Sequence, residues 1–157
     1  MQLEPVSVIT VFLAVEEPSL VVIAVAVLTS LGLTAAGFVV RSIAERGASG
    51  AMDRDGLAGI RTRATMASDQ AWLVGHQAGL APTKLGGLAL VATGTLGIGS
   101  GPIMTAFGRW DPNAFMMWWT VSLLIGLFGS VSLIIYGTAV GDRAAKAMLS
   151  ELDTAAD

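Results

Sequence analysis

Three long segments of the chain contain no Asp, Glu, Lys, Arg or His, and they limit the possible folds more than any other feature. They cover residues 19–40, 85–107 and 114–140. The first has 22 residues, which as a helix spans about 33 Å and crosses a hydrocarbon core of roughly 30 Å. Only 13% of all residues are charged, about half the share usual in a soluble domain. We therefore predict an all-α membrane protein with three transmembrane helices in one membrane domain, residues 1–157.

The remaining segments have separate predicted roles. Residues 1–18 hold an apolar run without a basic start, which favours an outer segment at the membrane surface or against the first span, not a cleavable signal peptide. Residues 41–84 are predicted to form a cytoplasmic loop and a short interfacial helix. Residues 141–157 are predicted to be a cytoplasmic tail. In the first span, we expect the helix to continue to about Arg46, where Gly47 stops it.

The distribution of basic residues predicts the orientation. Eight of the nine Lys and Arg residues lie in segments 41–84 and 141–157. Because basic residues concentrate on the cytoplasmic side, the N-terminus is predicted outside and the C-terminus inside.

The most polar stretch of the chain begins at Gly59 and contains a distinctive order of residues. Ser68 followed by Asp69 is typical of a helix N-terminus, since the hydroxyl caps an amide and the carboxylate complements the helix dipole. This helix is predicted to stop before Pro82 and to lie flat, with the indole at headgroup depth. The residues of the pattern are Gly59, Ile60, Arg61, Thr62, Thr65, Ser68, Asp69, Trp72 and His76.

This order resembles the SdpI/YfhL family of small bacterial membrane proteins. The family pattern has a Gly-Ile-Arg-Thr block, a Thr three residues on, a Ser with an acidic neighbour, a Trp, and a His four residues later. The resemblance implies a multi-pass protein of the bacterial plasma membrane that acts as a non-enzymatic binding or protective module. Family members include proteins that confer immunity to a secreted toxic peptide, and the larger member is understood to capture a transcriptional repressor. A toxic peptide or a cytoplasmic regulator are therefore candidate partners.

The residues themselves favour neither an enzyme nor a cofactor. The chain has one histidine and no cysteine, and a single imidazole does not make a metal site without other ligands. His76 as an axial haem ligand would need a second chain, so we interpret it as a half-buried, hydrogen-bonded side chain. The three apolar segments also lack the charged residues that mark proton or ion paths.

Two arginines in the polar stretch have two interpretations. Arg61 and Arg63 could bind a phosphate or a carboxylate, or they could serve only as positive-inside charges. We favour a structured loop in which Arg61 bonds a fixed group, with Asp69 or a helix C-terminus as the candidates.

Small residues recur along the apolar segments and predict close helix packing. The expected partners are membrane lipids and other membrane helices, in a homo-oligomer or in a larger complex such as a respiratory supercomplex, in which the chain would be an accessory subunit. A net charge of −3 argues against nucleic acid. The predicted packing residues are Gly87, Gly94, Gly97, Gly101, Gly126 and Ser130.

Overall fold

The computed structural model describes residues 20–106 and 112–156, and within these ranges the chain consists only of helices and loops. Helix α1 is Leu20–Ala48, α2 is Asp69–Ala106 and α3 is Pro112–Ala156. The predicted all-α class is confirmed for this part of the chain. The predicted outer segment 1–18 and residues 107–111 between α2 and α3 lie outside the described residues.

Helix α2 lies between the other two helices. It packs against α1 on one side and against α3 on the other, while the described backbones of α1 and α3 do not approach each other. One side-chain bond crosses between them, from Trp119 Nε1 to Ser30 Oγ at 3.4 Å. The three helices are therefore held together mainly through α2.

Two of the three helices are long and apolar enough to cross a membrane. These candidate spans are Ile23–Ala48 and Ala114–Ala155, and only 17% and 11% of the residues in their most apolar windows are buried. A helix in the core of a soluble protein would bury such residues, so the exposure supports a lipid environment. The predicted middle span, residues 85–107, falls largely within α2, which does not meet the same criterion over its described part. That span remains a prediction.

The separate interfacial helix that the sequence predicted is not present. Helix α2 runs without a break from Asp69 to Ala106, through Pro82. Proline removes one helical hydrogen bond and usually costs about 3 kcal/mol. Close packing of α2 against α3 offsets this cost. The residues that pack here are Gly75 and Gly79, which lie against α3 on the N-terminal side of Pro82. The helix therefore stays continuous where local sequence predicts a stop.

The end of α1 also differs from the prediction. Gly47 is helical and buried, and the helix ends two residues after Arg46, at Ala48. Gly50 adopts a φ of +74°, and the Ala51 amide donates to the Arg46 carbonyl at 3.0 Å. These features form a Schellman motif, in which a glycine with positive φ ends the helix. The glycine that ends α1 is therefore Gly50 and not the predicted Gly47.

Helix α3 includes the predicted tail. Its 45 residues extend about 68 Å, more than twice the roughly 30 Å of a hydrocarbon core. Its C-terminal half packs beside the start of α2, where Ala71 and Ala145 are both fully buried. Met148 and Leu149 pack against this cluster. Residues 141–149 of α3 thus pack against the start of α2 and against Ala64.

Candidate functional site

The polar loop, defined here as residues 49–68, is anchored to α2 through His76. The Ile60 amide donates to His76 Nε2 at 2.8 Å, and His76 Nδ1 lies 2.8 Å from the Trp72 carbonyl oxygen. A carbonyl only accepts, so the proton is on Nδ1 and the imidazole is neutral. His76 is 3% exposed, more buried than the half-buried side chain predicted. Both of its nitrogens have structural partners, which leaves none for a metal or haem.

Trp72 is a second anchor of the loop. It is 3% exposed, its ring centroid lies 4.1 Å from that of His76, and its Nε1 donates to the Met52 carbonyl at 3.2 Å. The indole therefore lies inside the folded protein, and its position at headgroup depth stays a prediction. The indole finds its hydrogen-bond partner inside the protein, because the loop folds back over this face of α2.

Gly59 allows the loop to approach these rings. Its φ is +117°, a conformation that residues with a Cβ rarely adopt. A Cβ on Gly59 would lie 2.6 Å from His76 Nε2 and 2.7 Å from the Trp72 ring. Glycine is therefore required at this position both by its backbone conformation and by the space available.

The two threonines of the pattern form a compact turn. The Thr62 amide donates to Thr65 Oγ1 at 3.0 Å, and Thr65 Oγ1 donates to the Ile60 carbonyl at 2.6 Å. Thr65 is fully buried. Ser68 then caps α2, since its Oγ accepts from the Ala71 amide at 3.1 Å. The Thr62 amide, the Thr65 hydroxyl and the Ala71 amide thus all have hydrogen-bond partners, which is typical of a structured loop.

The same turn is linked to α3. Lys146 Nζ lies 2.6 Å from Asp142 Oδ2, and the Thr62 hydroxyl also faces this carboxylate closely enough to lower the pKa of Asp142. Lys146 first, and then Thr62, hold the pKa of Asp142 below its usual value. The loop is therefore tied both to α2 and to the C-terminal half of α3.

Arg61 is exposed and bonds the loop itself. Its Nη1 donates to the Gly56 carbonyl and, at 3.4 Å, to the Arg54 carbonyl. The predicted candidates for its partner, Asp69 or a helix C-terminus, are therefore wrong. Asp69 instead lies 3.5 Å from Arg54 and is 91% exposed, so this ion pair contributes little to stability.

The predicted packing residues contact both neighbours of α2. Gly87 lies against Gly37 of α1, and a Cβ there would be 2.9 Å from the Gly37 carbonyl oxygen. Gly94 and Gly97 lie against Ser30 of α1. On the other side, Gly126 of α3 lies against Thr93, and Ser130 is fully buried. The surroundings of Gly101 lie outside the described residues.

A second glycine crossing was not predicted. Gly75 and Gly79 of α2 meet Gly141 and Gly137 of α3, and a Cβ on Gly79 would lie 2.7 Å from the Gly137 carbonyl oxygen. Both pairs have the GxxxG spacing that lets backbones approach closely. The spacing could have predicted this contact from the sequence. It was missed because the helix was expected to stop before Pro82.

Stability should fall in acid because of His76. Burial lowers its pKa from the usual 6.5, partly offset by the bond to the Trp72 carbonyl. Below about pH 6.5 the unfolded chain therefore binds more protons than the folded chain, so stability present above this pH is lost as the pH falls. We expect the unfolding temperature in detergent to decrease between about pH 7.5 and about pH 5.5. In the His76→Gln variant this part of the decrease should disappear, and an equal decrease in both proteins would contradict the assignment.

The contacts described above anchor the polar loop to α2 and leave the charged Arg61 side chain exposed. Within the described residues there is no group of three or more His, Asp or Glu side chains that could hold a metal ion. The pattern residues from Gly59 to His76 come together in one folded unit, with Arg61 at its exposed side.

Comparison with known proteins identifies the family. No curated protein and no solved structure matches the chain. The family model described as the SdpI/YfhL protein family matches residues 51–137. This range is more than half of the 157 residues and covers the loop, α2 and most of the predicted third span. The chain therefore belongs to the SdpI/YfhL family.

Proposed function

We propose that this protein is a non-enzymatic binding module of the bacterial plasma membrane that protects the cell against a toxic peptide. The proposal rests on one observation, the anchoring of the polar loop to α2. Buried side chains of α2 anchor it, while Arg61 and Arg63 are exposed. Membership of the SdpI/YfhL family supports an immunity-type role. A fixed loop with exposed guanidinium groups is suited to recognising carboxylates or phosphates on a partner.

Arg61 is the residue with which to test this role. Only its Nη1 is hydrogen-bonded within the described residues, so the remaining guanidinium donors are available to a partner. Arg61→Lys keeps the charge but loses the planar group, and we expect about tenfold weaker partner binding, or about 1.4 kcal/mol. Survival of cells exposed to the toxic peptide, at matched expression, measures the effect.

Arg63→Lys is the matched control. Arg63 is also exposed, lies two residues away and has the same charge, but it makes no hydrogen bond or ion pair within the part of the chain that the structure describes. Within the described residues, loop carbonyls hold the Arg61 guanidinium in place but not that of Arg63, so the proposed recognition needs the planar group only at Arg61 and the Arg63→Lys variant should behave like the parent protein. If Arg61→Lys also behaved like the parent protein, Arg61 would serve only as a positive-inside charge.

The proposed topology has three spans, an outer N-terminus and a cytoplasmic C-terminus. It is supported by the eight basic residues in segments 41–84 and 141–157. Cysteines at Ser49 and Asn113 should react with an impermeant maleimide from opposite sides of the membrane. Labelling of intact cells and of inverted vesicles measures this. Reaction of both cysteines from the same side would overturn the three-span topology.

A second candidate function is an accessory subunit of a larger membrane complex. Gly32 of α1 and Gly129 of α3 have no other atoms within 4 Å of where a Cβ would lie, and Trp118 is 62% exposed. Small residues on an outer face would let a further helix approach closely. Native purification distinguishes the two: a stoichiometric large complex favours the subunit, and a free monomer or dimer favours the immunity role.

A further inference from the structure

A cavity of 140 Å³ lies beneath the polar loop. All three helices and the loop contribute to its wall, with α2 as the floor and the loop at one end. The wall includes the side chains of Val40, Ile43, Ile60, His76, Ile134 and Thr138. This volume is close to that of an engineered apolar cavity of about 150 Å³ that stays dry and binds benzene.

The polar groups in the wall already have partners. The Thr83 hydroxyl donates to the Gly79 carbonyl at 2.8 Å, and the Thr138 hydroxyl donates to the Ile134 carbonyl at 3.1 Å. Both His76 nitrogens are also bonded. A buried water needs two to four polar partners, and these bonds leave few. The cavity therefore favours an apolar occupant over water or a polar ligand.

The loop bounds the cavity at one end of α2, where Gly59 and Ile60 line it. Leu90, which is 7% exposed, lies on the same face of α2 two turns beyond Thr83. The backbones of α1 and α3 do not meet, so the open side lies between these two helices. The described helices therefore leave a lateral opening to the cavity.

The residues beside this opening are exposed on the outer surface of the protein. Val39, next to Val40 in the wall, is 56% exposed, and Ile135, next to Ile134, is 63% exposed. Both lie in the candidate membrane spans, near the ends that adjoin the predicted cytoplasmic segments. In the proposed topology the opening therefore faces the inner part of the lipid chains. A lipid chain is thus the apolar group that already lies against the opening.

We propose that the cavity beneath the loop binds a hydrocarbon chain of a membrane lipid. The volume accommodates several methylene groups, each of which contributes about 0.8 kcal/mol when buried. Because Ile60 and His76 are part of the wall, the bound chain contacts the same residues that anchor the polar loop. This site goes beyond the proposed function, since it does not depend on a toxic peptide or on any protein partner.

Photolabelling tests the site directly. The full-length protein is delipidated in detergent and mixed with phosphatidylglycerol that carries a diazirine at the end of one acyl chain. After illumination, mass spectrometry maps the adducts. We expect saturable labelling of the peptides that contain Val40 and Ile43 or Ile134 and Thr138.

Two filling variants and one control make the result specific. Val40→Phe and Thr138→Leu enlarge side chains on opposite walls, and each should reduce labelling about tenfold, the equivalent of roughly two methylene groups excluded. Val39→Phe adds the same volume one residue away on the exposed face and should label like the parent. Because the two filling variants alter different helices, a folding defect in one leaves the other as a test.

Three results would overturn the proposal. The first is labelling that the filling variants leave unchanged. The second is labelling spread evenly over the exposed apolar faces, reduced no more by Val40→Phe than by Val39→Phe. The third is the absence of adducts at the cavity together with a higher unfolding temperature for both filling variants, which would identify the cavity as an empty packing defect.

Discussion

Replacing Gly94 with alanine should lower the free energy of unfolding by about 1–3 kcal/mol, the scale of overpacking in a closely packed core. A Cβ at this position would overlap the Ser30 carbonyl oxygen and would lie 2.8 Å from the Thr34 backbone nitrogen. Both atoms belong to the backbone of α1, so they cannot move aside as a flexible side chain can. The two helices must separate, which weakens the α1–α2 contact. Thermal unfolding in detergent measures the loss.

Gly129→Ala provides the matched control for this substitution. Gly129 is also a helical glycine, but a Cβ there would meet no other atom within 4 Å. Because alanine is favoured over glycine in a helix by up to about 1 kcal/mol, this variant should be neutral or slightly more stable. If Gly94→Ala proved as stable as Gly129→Ala, α1 and α2 would not pack as the structure has them.

His76→Leu should loosen the polar loop by about 1–3 kcal/mol while the membrane-spanning part of the helices stays intact. The substitution introduces an apolar side chain of similar size and leaves the Ile60 amide, which donates to Nε2 at 2.8 Å, without its acceptor. Amide exchange is the suitable measurement, since it separates local opening from global unfolding. We expect faster exchange at Ile60 and Thr65 and unchanged exchange near Leu90.

The neighbouring residue supplies the control. Gln77 is exposed, and its side chain donates one bond of 3.4 Å to the Ala48 carbonyl. Gln77→Leu makes a similar polar-to-apolar change and should alter loop stability by no more than about 0.5 kcal/mol. Equal protection of Ile60 in the His76→Leu variant and in the parent would show that the imidazole does not hold the loop.

The sequence alone determined the features that depend on local pattern. Apolar segments without charged residues predicted the helices, and Ser68 followed by Asp69 predicted the start of α2 correctly to the residue. The order of residues from Gly59 to His76 identified the family that the comparison confirms over residues 51–137. These signals are readable because each arises from neighbouring residues, through hydrophobicity, capping or residue order.

Only the tertiary structure decided how these parts meet. The helix stop predicted before Pro82 is overridden by glycine contacts between α2 and α3. Trp72 is buried beneath the loop, where its Nε1 donates to the carbonyl of Met52, 20 residues away. Each outcome depends on groups far apart in the sequence, whose packing outweighs a local preference of a few kcal/mol. Local pattern therefore predicts which residues form helices, while long-range packing decides where α2 continues and what its buried side chains hold.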